Sequence, residues 1–253
     1  MIKITHSQYL GMKYKALIEK SMSFFSLSSD VKKKLTFSNT ISGYRGIGEE
    51  YSKDILNPDL NESFSLRICE LNLFNNLENV SDLLSSMTEL INILDKMAQD
   101  ELNIIALSFG TRNEIKTSEN SWLQINFYQP SVHSRKYLQD EHEDGHLLTI
   151  LTANAKGLEY KIKDSFIEHS GSLSDVVIMP GNILNLLTNS NITPCFHRVA
   201  NNFSENARIS IMYFVNPNYD SNISPWLHGD INKNIDILAV SKENNQKFGL
   251  PNI

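Results

Sequence analysis

Residues 122–128 read WLQINFY and residues 207–215 read ARISIMYFV. Both are short runs rich in β-branched and aromatic residues, the composition of strands. Between them lie HLLTILTA (146–153), LEYKIK (158–163), DVVIM (175–179) and NILNLLT (182–188), each read as a further strand. Turn sequences separate them, notably Asn154-Ala155-Lys156-Gly157 and Pro180-Gly181. The N-terminal half differs. Residues 7–37 read as helical, with Leu10, Tyr14, Leu17, Ile18 and Met22 at three- and four-residue steps, and with Ser28-Ser29-Asp30 offering N-caps for a short helix through Val31 to Leu35. Residues 38–66 hold Gly43, Gly46, Gly48 and Pro58 and read as loop with short strands. From Val80 to Leu107 the helical period is sustained through Leu83, Leu84, Met87, Leu90, Ile91, Leu94, Met97 and Ala98, with Gly110 placed to end the helix. Helices followed by many short strands predict a mainly β protein with flanking helices, a jelly roll (double-stranded β-helix) or barrel. The expected layout is a single domain over 1–253. It has a helical portion to 119 with a scaffold helix at about 80–108, a jelly-roll core over 120–220 and a C-terminal extension over 221–253.

Composition narrows the function. The chain has 253 residues, 41% hydrophobic and 21% charged, which is ordinary for a globular protein. Its 23 basic and 29 acidic residues give a net charge of −6 and no electrostatic reason to seek nucleic acid or an anionic membrane. There is neither a GxGxxG nor a P-loop, which disfavours nucleotide binding of those types. Two cysteines, Cys69 and Cys195, provide neither a disulfide framework nor a zinc-binding CxxC. No apolar run approaches a membrane span, and MIKITHSQYLGMKYK lacks an export signal's apolar core. The expected location is the cytoplasm.

Seven histidines are available, and two begin a His-x-Asp: His142-Glu143-Asp144 and His228-Gly229-Asp230. Composition alone would give about one histidine with Asp or Glu two places later, so context decides. On a strand, residues two apart point to the same side, so His142 and Asp144 can offer an imidazole and a carboxylate to one metal ion. A third ligand from another strand would complete a two-His, one-carboxylate triad with open positions, a donor set suited to non-haem Fe(II). His228 has no histidine after it. Of the histidines after Asp144, His146 is too near and His169 lies in a loop-like run. His197 sits in Pro194-Cys195-Phe196-His197-Arg198-Val199, which reads as a strand facing 142–150 across a sheet. Arg208 and Ser210 follow on one side of a strand, where an arginine fork and a hydroxyl can grip a carboxylate.

The ordered set His-x-Asp, His, Arg-x-Ser resembles the plant-type, isopenicillin-N-synthase-like branch of the Fe(II)/2-oxoglutarate-dependent oxygenases. Further segments follow the family's order from about residue 20 to about 226: FFSLSSDVKKK (24–34), GYRGIGEE (43–50), NPDLNESF (57–64), INFYQP (125–130), GLEYKI (157–162), VVIMPGNILNLLTN (176–189) and YFVNPNYD (213–220). The resemblance implies His142, Asp144 and His197 as catalytic iron ligands. It implies Arg208 and Ser210 as the grip on the distal carboxylate of 2-oxoglutarate, with Asn126 and Tyr128 lining the co-substrate pocket. Fe(II), 2-oxoglutarate and O2 are the implied cofactor and co-substrates, and hydroxylation, desaturation or ring closure of a small organic substrate is the implied reaction. Same-fold oxidases that do not use 2-oxoglutarate keep Arg-x-Ser, so this motif leaves them open, as it does a non-catalytic small-molecule-binding jelly roll. A zinc hydrolase is disfavoured because no general-base carboxylate is evident beside the triad. Family members begin with a strand that this chain is read to lack, which leaves the 43–64 loop less covered. Arg45 in that loop is expected to meet a polar handle of the substrate, and Phe64 and Phe214 are candidate cavity residues. Oligomeric state is not legible.

Overall fold

The computed structural model describes residues 2–75, 77–130, 134–219, 222–227 and 234–251. The chain opens with β1 (Lys3–His6), α1 (Gln8–Phe25) and α2 (Ser29–Lys33), followed by β2 (Gly43–Arg45) and β3 (Glu62–Arg67). Two 3-10 stretches lead into the long α3 (Ser81–Ser108). Strands β4 (Trp122–Tyr128), β5 (Tyr137–His142), β6 (Leu148–Ala153), β7 (Leu158–Ile162), β8 (Ser165–Glu168) and β9 (Asp175–Pro180) follow. Then come α4 (Asn182–Leu187), β10 (His197–Ala200), β11 (Arg208–Val215), β12 (Asn222–Ile223), β13 (Ile235–Asp236) and α5 (Ile237–Lys247).

Seven strands form one sheet in the order β1-β9-β6-β11-β4-β3-β2, and four form a second in the order β5-β10-β7-β8. All pairings are antiparallel. The expected mainly β architecture with flanking helices is what the chain adopts. Its two faces follow from the period of the strands. Leu123 and Ile125 on β4, with Ile209, Ile211 and Tyr213 on β11, join the core shared with Leu17 of α1 and Leu90 and Leu94 of α3. The intervening Met212 packs in a second cluster with Leu151, Val177, Met179, Leu158 and Tyr160, which lies between the two sheets. The helix-facing side is thus aliphatic and the other side is free to carry polar chemistry.

α1 starts where Ser7 Oγ accepts from the Leu10 amide at 3.2 Å. α3 buries the stripe expected of it. It ends in a Schellman motif: Gly110 at φ +72° donates to Leu107 O at 3.0 Å, and Thr111 to Ala106 O at 3.1 Å.

Two expectations are corrected. The N-terminal strand read as missing is present: Lys3–His6 pairs with Asp175–Ile178. It forms the edge opposite β2, so it does not control the cover over 43–64. Residues 182–187 form a helix, not a strand. Ile183, Leu184 and Leu187 are buried at helical spacing, while Asn182 and Ile183 donate their amides to Asp144 O (2.9 Å) and His146 O (3.0 Å). The expected neighbour of the His197 strand is found at the His142 end, where β10 pairs with β5 and His197 stands opposite His142, whereas 148–150 belong to β6 in the seven-stranded sheet.

Candidate active site

His142 is the last residue of β5, and Asp144 lies beyond it in the turn towards β6. The two-residue spacing therefore works through a strand end and a turn, not through strand alternation. His197 opens β10. One ligand atom from each of His142, Asp144 and His197 lies within 4.8 Å of the others. His142 Nε2 is 3.8 Å from Asp144 Oδ1, and His197 Nε2 is 3.9 Å from Asp144 Oδ2, too far to be hydrogen bonds. The far side of each imidazole is fixed by backbone. His142 Nδ1 is 2.7 Å from Asp140 O, and His197 Nδ1 is 3.1 Å from Cys195 O. A carbonyl only accepts, so each Nδ1 carries the proton and each Nε2 presents a lone pair. Thr149 donates to Asp144 Oδ2 at 2.6 Å.

Electrostatics favour the ligating forms. Burial pushes His197 down to about 4, outweighing the upward pull of Asp144, so the imidazole is neutral at pH 7. Burial alone would raise Asp144, but His197, His142 and His146, with the Thr149 hydroxyl, hold it below the usual carboxylate range. Two imidazoles and one carboxylate converging on one point are a donor set that fits Fe(II).

A second polar centre lies on the seven-stranded sheet. Arg208 and Ser210 alternate on β11 with residues of the helix-facing core, opposite Tyr128 and Asn126 on β4. Arg208 is buried and donates through Nε to Lys156 O at 3.0 Å and through Nη1 to Ser210 Oγ. Its Nη2 is buried without a partner. Tyr128 lies with its ring 5.2 Å from the guanidinium and donates to Gln139 Oε1 at 2.8 Å. Asn126 lines the cavity that contains the triad, whereas Tyr128 and Arg208 line an adjoining one. An unpartnered buried guanidinium nitrogen beside a serine hydroxyl fits a carboxylate group.

The other candidates separate. Phe214 lines the triad cavity. Phe64 does not; it is fully buried in an aromatic cluster with Phe24 and Phe74. Arg45 is also buried, and its donors are engaged within the protein. Nε reaches Glu50 Oε1 at 2.7 Å, Nη1 reaches Ile41 O at 2.9 Å and Nη2 reaches Ser65 Oγ at 3.3 Å. Glu50, not Arg45, lines the cavity. His146 places Nδ1 2.9 Å from Asn216 Oδ1, and His169 uses both ring nitrogens on backbone near β9. His228-Gly229-Asp230 lies outside the described residues.

Sequence reading assigned no role to Gln124, Gln139, Asp59, Phe248 or Leu250, all of which line the cavity. Gln124 sits two residues before Asn126 on β4, so strand period could have found it. Asp59, Phe248 and Leu250 come from remote segments with no local signal. Phe248 stands over the site, its ring 5.8 Å from that of His142, and its carbonyl meets the Tyr51 amide at 3.5 Å.

The β-sandwich thus brings two imidazoles, a carboxylate and a neighbouring Arg-Ser pair together. Residues 119–217 match the family model of the 2OG-Fe(II) oxygenase superfamily. Over 135 residues it is 30% identical to mugineic-acid 3-dioxygenase of Hordeum vulgare, a match that covers 51% of this chain but only 40% of that relative. Among solved structures, a full-length Neurospora crassa protein in complex with alpha-KG and thymine superimposes with a TM-score of 0.79 at 18% identity, covering 97% of this chain and 86% of the other. The dioxygenase for auxin oxidation 1 from Arabidopsis thaliana, in a complex with 2-oxoglutarate, gives a TM-score of 0.74 at 20% identity, with 90% and 89% covered. These likenesses extend the shared fold across nearly the whole chain.

Proposed function

We propose that this protein is an Fe(II)- and 2-oxoglutarate-dependent oxygenase of the isopenicillin-N-synthase-like branch. It oxidises a small organic substrate with release of succinate and CO2. The observation that carries the reading is the placement of Arg208, with its free Nη2, on the same sheet face as the cavity holding His142, Asp144 and His197. His142, Asp144 and His197 hold the metal, which when bound supplies dioxygen activation. Arg208 and Ser210 bind the distal carboxylate of 2-oxoglutarate and so fix its orientation along the face. Asn126 and Tyr128 complete that wall. Phe214 and Phe248 cover the cavity with apolar surface and limit water beside the reacting centre. The negative net charge supports a small-molecule substrate over nucleic acid. The free thiols Cys69 and Cys195 fit a reducing cytoplasm.

The test is succinate formation from 2-oxoglutarate by the Fe(II)-loaded chain, with binding of 2-oxoglutarate measured by calorimetry. Arg208→Ala should weaken binding by roughly 30-fold or more, because truncating one partner of a buried charge pair costs about 2–5 kcal/mol. Arg208→Lys should restore little, since a point charge lacks the fork. Oxygen uptake with no consumption of 2-oxoglutarate would identify an oxidase instead.

A further inference from the structure

Beyond Asp144, the lining of the triad cavity carries further acidic residues. Glu50 and Asp59 both line it with Gln124, Gln139 and Ser52, and no lysine or arginine does so among the described residues. The two carboxylates are not equivalent. Glu50 is balanced by Arg45 at 2.7 Å and also accepts from Ser63 Oγ at 2.8 Å and Gln124 Nε2 at 3.2 Å. Asp59 is only 4% exposed, and its partners are neutral: Ser52 N at 3.2 Å, Ser52 Oγ at 2.8 Å and Gln139 Nε2 at 3.0 Å. Among the described residues no cation pairs with it. The adjoining Asn61 is buried as well. Its Nδ2 approaches Glu50 Oε2 at 3.4 Å, and its Oδ1 has no donor. This wall therefore has a surplus of acceptors and one uncompensated negative charge, and a buried carboxylate without a counter-ion is unfavourable. The same cavity also has an apolar lining of Leu151, Met212, Phe214, Phe248 and Leu250, with Met212 beside Gln124 in the β4–β11 ladder.

We infer that the substrate is a cationic amine with an apolar body, whose ammonium group is held by Asp59 while the body lies against Phe214 and Phe248. This rests on the proposed function only in placing the substrate next to the metal centre. It replaces the expectation of an anionic handle at Arg45, whose donors are already engaged by Glu50, Ile41 and Ser65. An ammonium supplies the donors this wall lacks, and a carboxylate would meet two like charges.

The experiment uses three probes of one shape, benzylamine, benzyl alcohol and benzoate, titrated by ligand-observed NMR into the full chain with 2-oxoglutarate present. Benzylamine should bind about tenfold or more tightly than benzyl alcohol, as expected of a charged hydrogen bond, and benzoate should bind least. Asp59→Asn should erase the preference and Asp59→Glu should keep part of it. If Asp59→Asn does not fold, Gln124→Lys, which places a cation against the same wall, should erase the preference instead. Benzylamine binding no better than benzyl alcohol, or a preference that both neutralising variants leave intact, overturns the inference. Neither readout depends on turnover. Failure of the oxygenase reading would show instead in the 2-oxoglutarate titration of the Arg208 variants.

Discussion

His142 and His197 are direct partners in the β5–β10 ladder, with ring centroids 4.3 Å apart and planes inclined at 53°. One antiparallel register thus places two imidazoles side by side, and backbone carbonyls fix the proton of each on the outer nitrogen. Replacing either by Ala should abolish Fe(II) binding in anaerobic titrations while the far-UV spectrum stays native. Thr149→Val should weaken Fe(II) binding by roughly 10- to 100-fold, the usual effect of losing a partner that orients a ligand, and Thr149→Ser should restore it. Retained metal affinity in His197→Ala would place the third ligand elsewhere.

Gly181 lies against the metal loop. A Cβ there would sit 2.3 Å from His146 O and 2.7 Å from Asp144 O. These are backbone atoms, so the loop or α4 must shift. Gly181→Ala should lower stability by about 1–3 kcal/mol and reduce iron content, because the displaced carbonyl belongs to Asp144, the proposed ligand. Thermal denaturation and metal analysis of the purified variant check both. An unchanged metal content would show that the loop absorbs the methyl group.

Arg45 and Glu50 form a buried pair, each side chain 9% exposed. Arg45→Ala leaves Glu50 as a buried charge without its counter-ion, which typically costs about 3–5 kcal/mol. The expected outcome is a lower midpoint in urea unfolding. The double variant Arg45→Leu with Glu50→Leu should recover much of that loss. A purely kinetic effect of Arg45→Ala, with stability unchanged, would restore the direct role in substrate contact first expected of it.

Asp59 gives stability a pH dependence of defined sign. Burial pushes its carboxyl up to about 6 from the ordinary 3.8, against the hydrogen bonds from Gln139 and Ser52 that pull it down. The folded state thus binds this proton more tightly than the unfolded chain. The associated stability is complete below pH 3.8 and is lost as pH rises through about 6. A shift of this size corresponds to roughly 3 kcal/mol. Relative to wild type, Asp59→Asn should therefore gain stability between pH 4 and pH 7, as read by denaturant unfolding across that range. A difference that is flat in pH would mean that Asp59 is solvated.

The sequence alone carried what depends on period and on order. Spacing at three and four residues defined α1 and α3, and alternation along 122–128 and 207–215 put Asn126, Tyr128, Arg208 and Ser210 on one side of their strands. His142, Asp144 and His197 could be picked out because their residue types are rare and fall in a recognisable order. Where contacts decide, local reading failed. Ile183, Leu184 and Leu187 fit a strand run until Gly181 and the carbonyls of Asp144 and His146 give α4 its first turn. Lys3–His6 has no strand pattern of its own and is extended because β9 offers an unpaired edge. Asp59, Glu50 and Phe248 are separated from the triad by tens of residues or more, and no local period links them. Only chain closure brings them into one cavity and decides that Arg45 faces Glu50 while Asp59 has no cation beside it. Hydrophobic period is a property of neighbours in sequence, whereas the charge balance of a cavity is a property of neighbours in space.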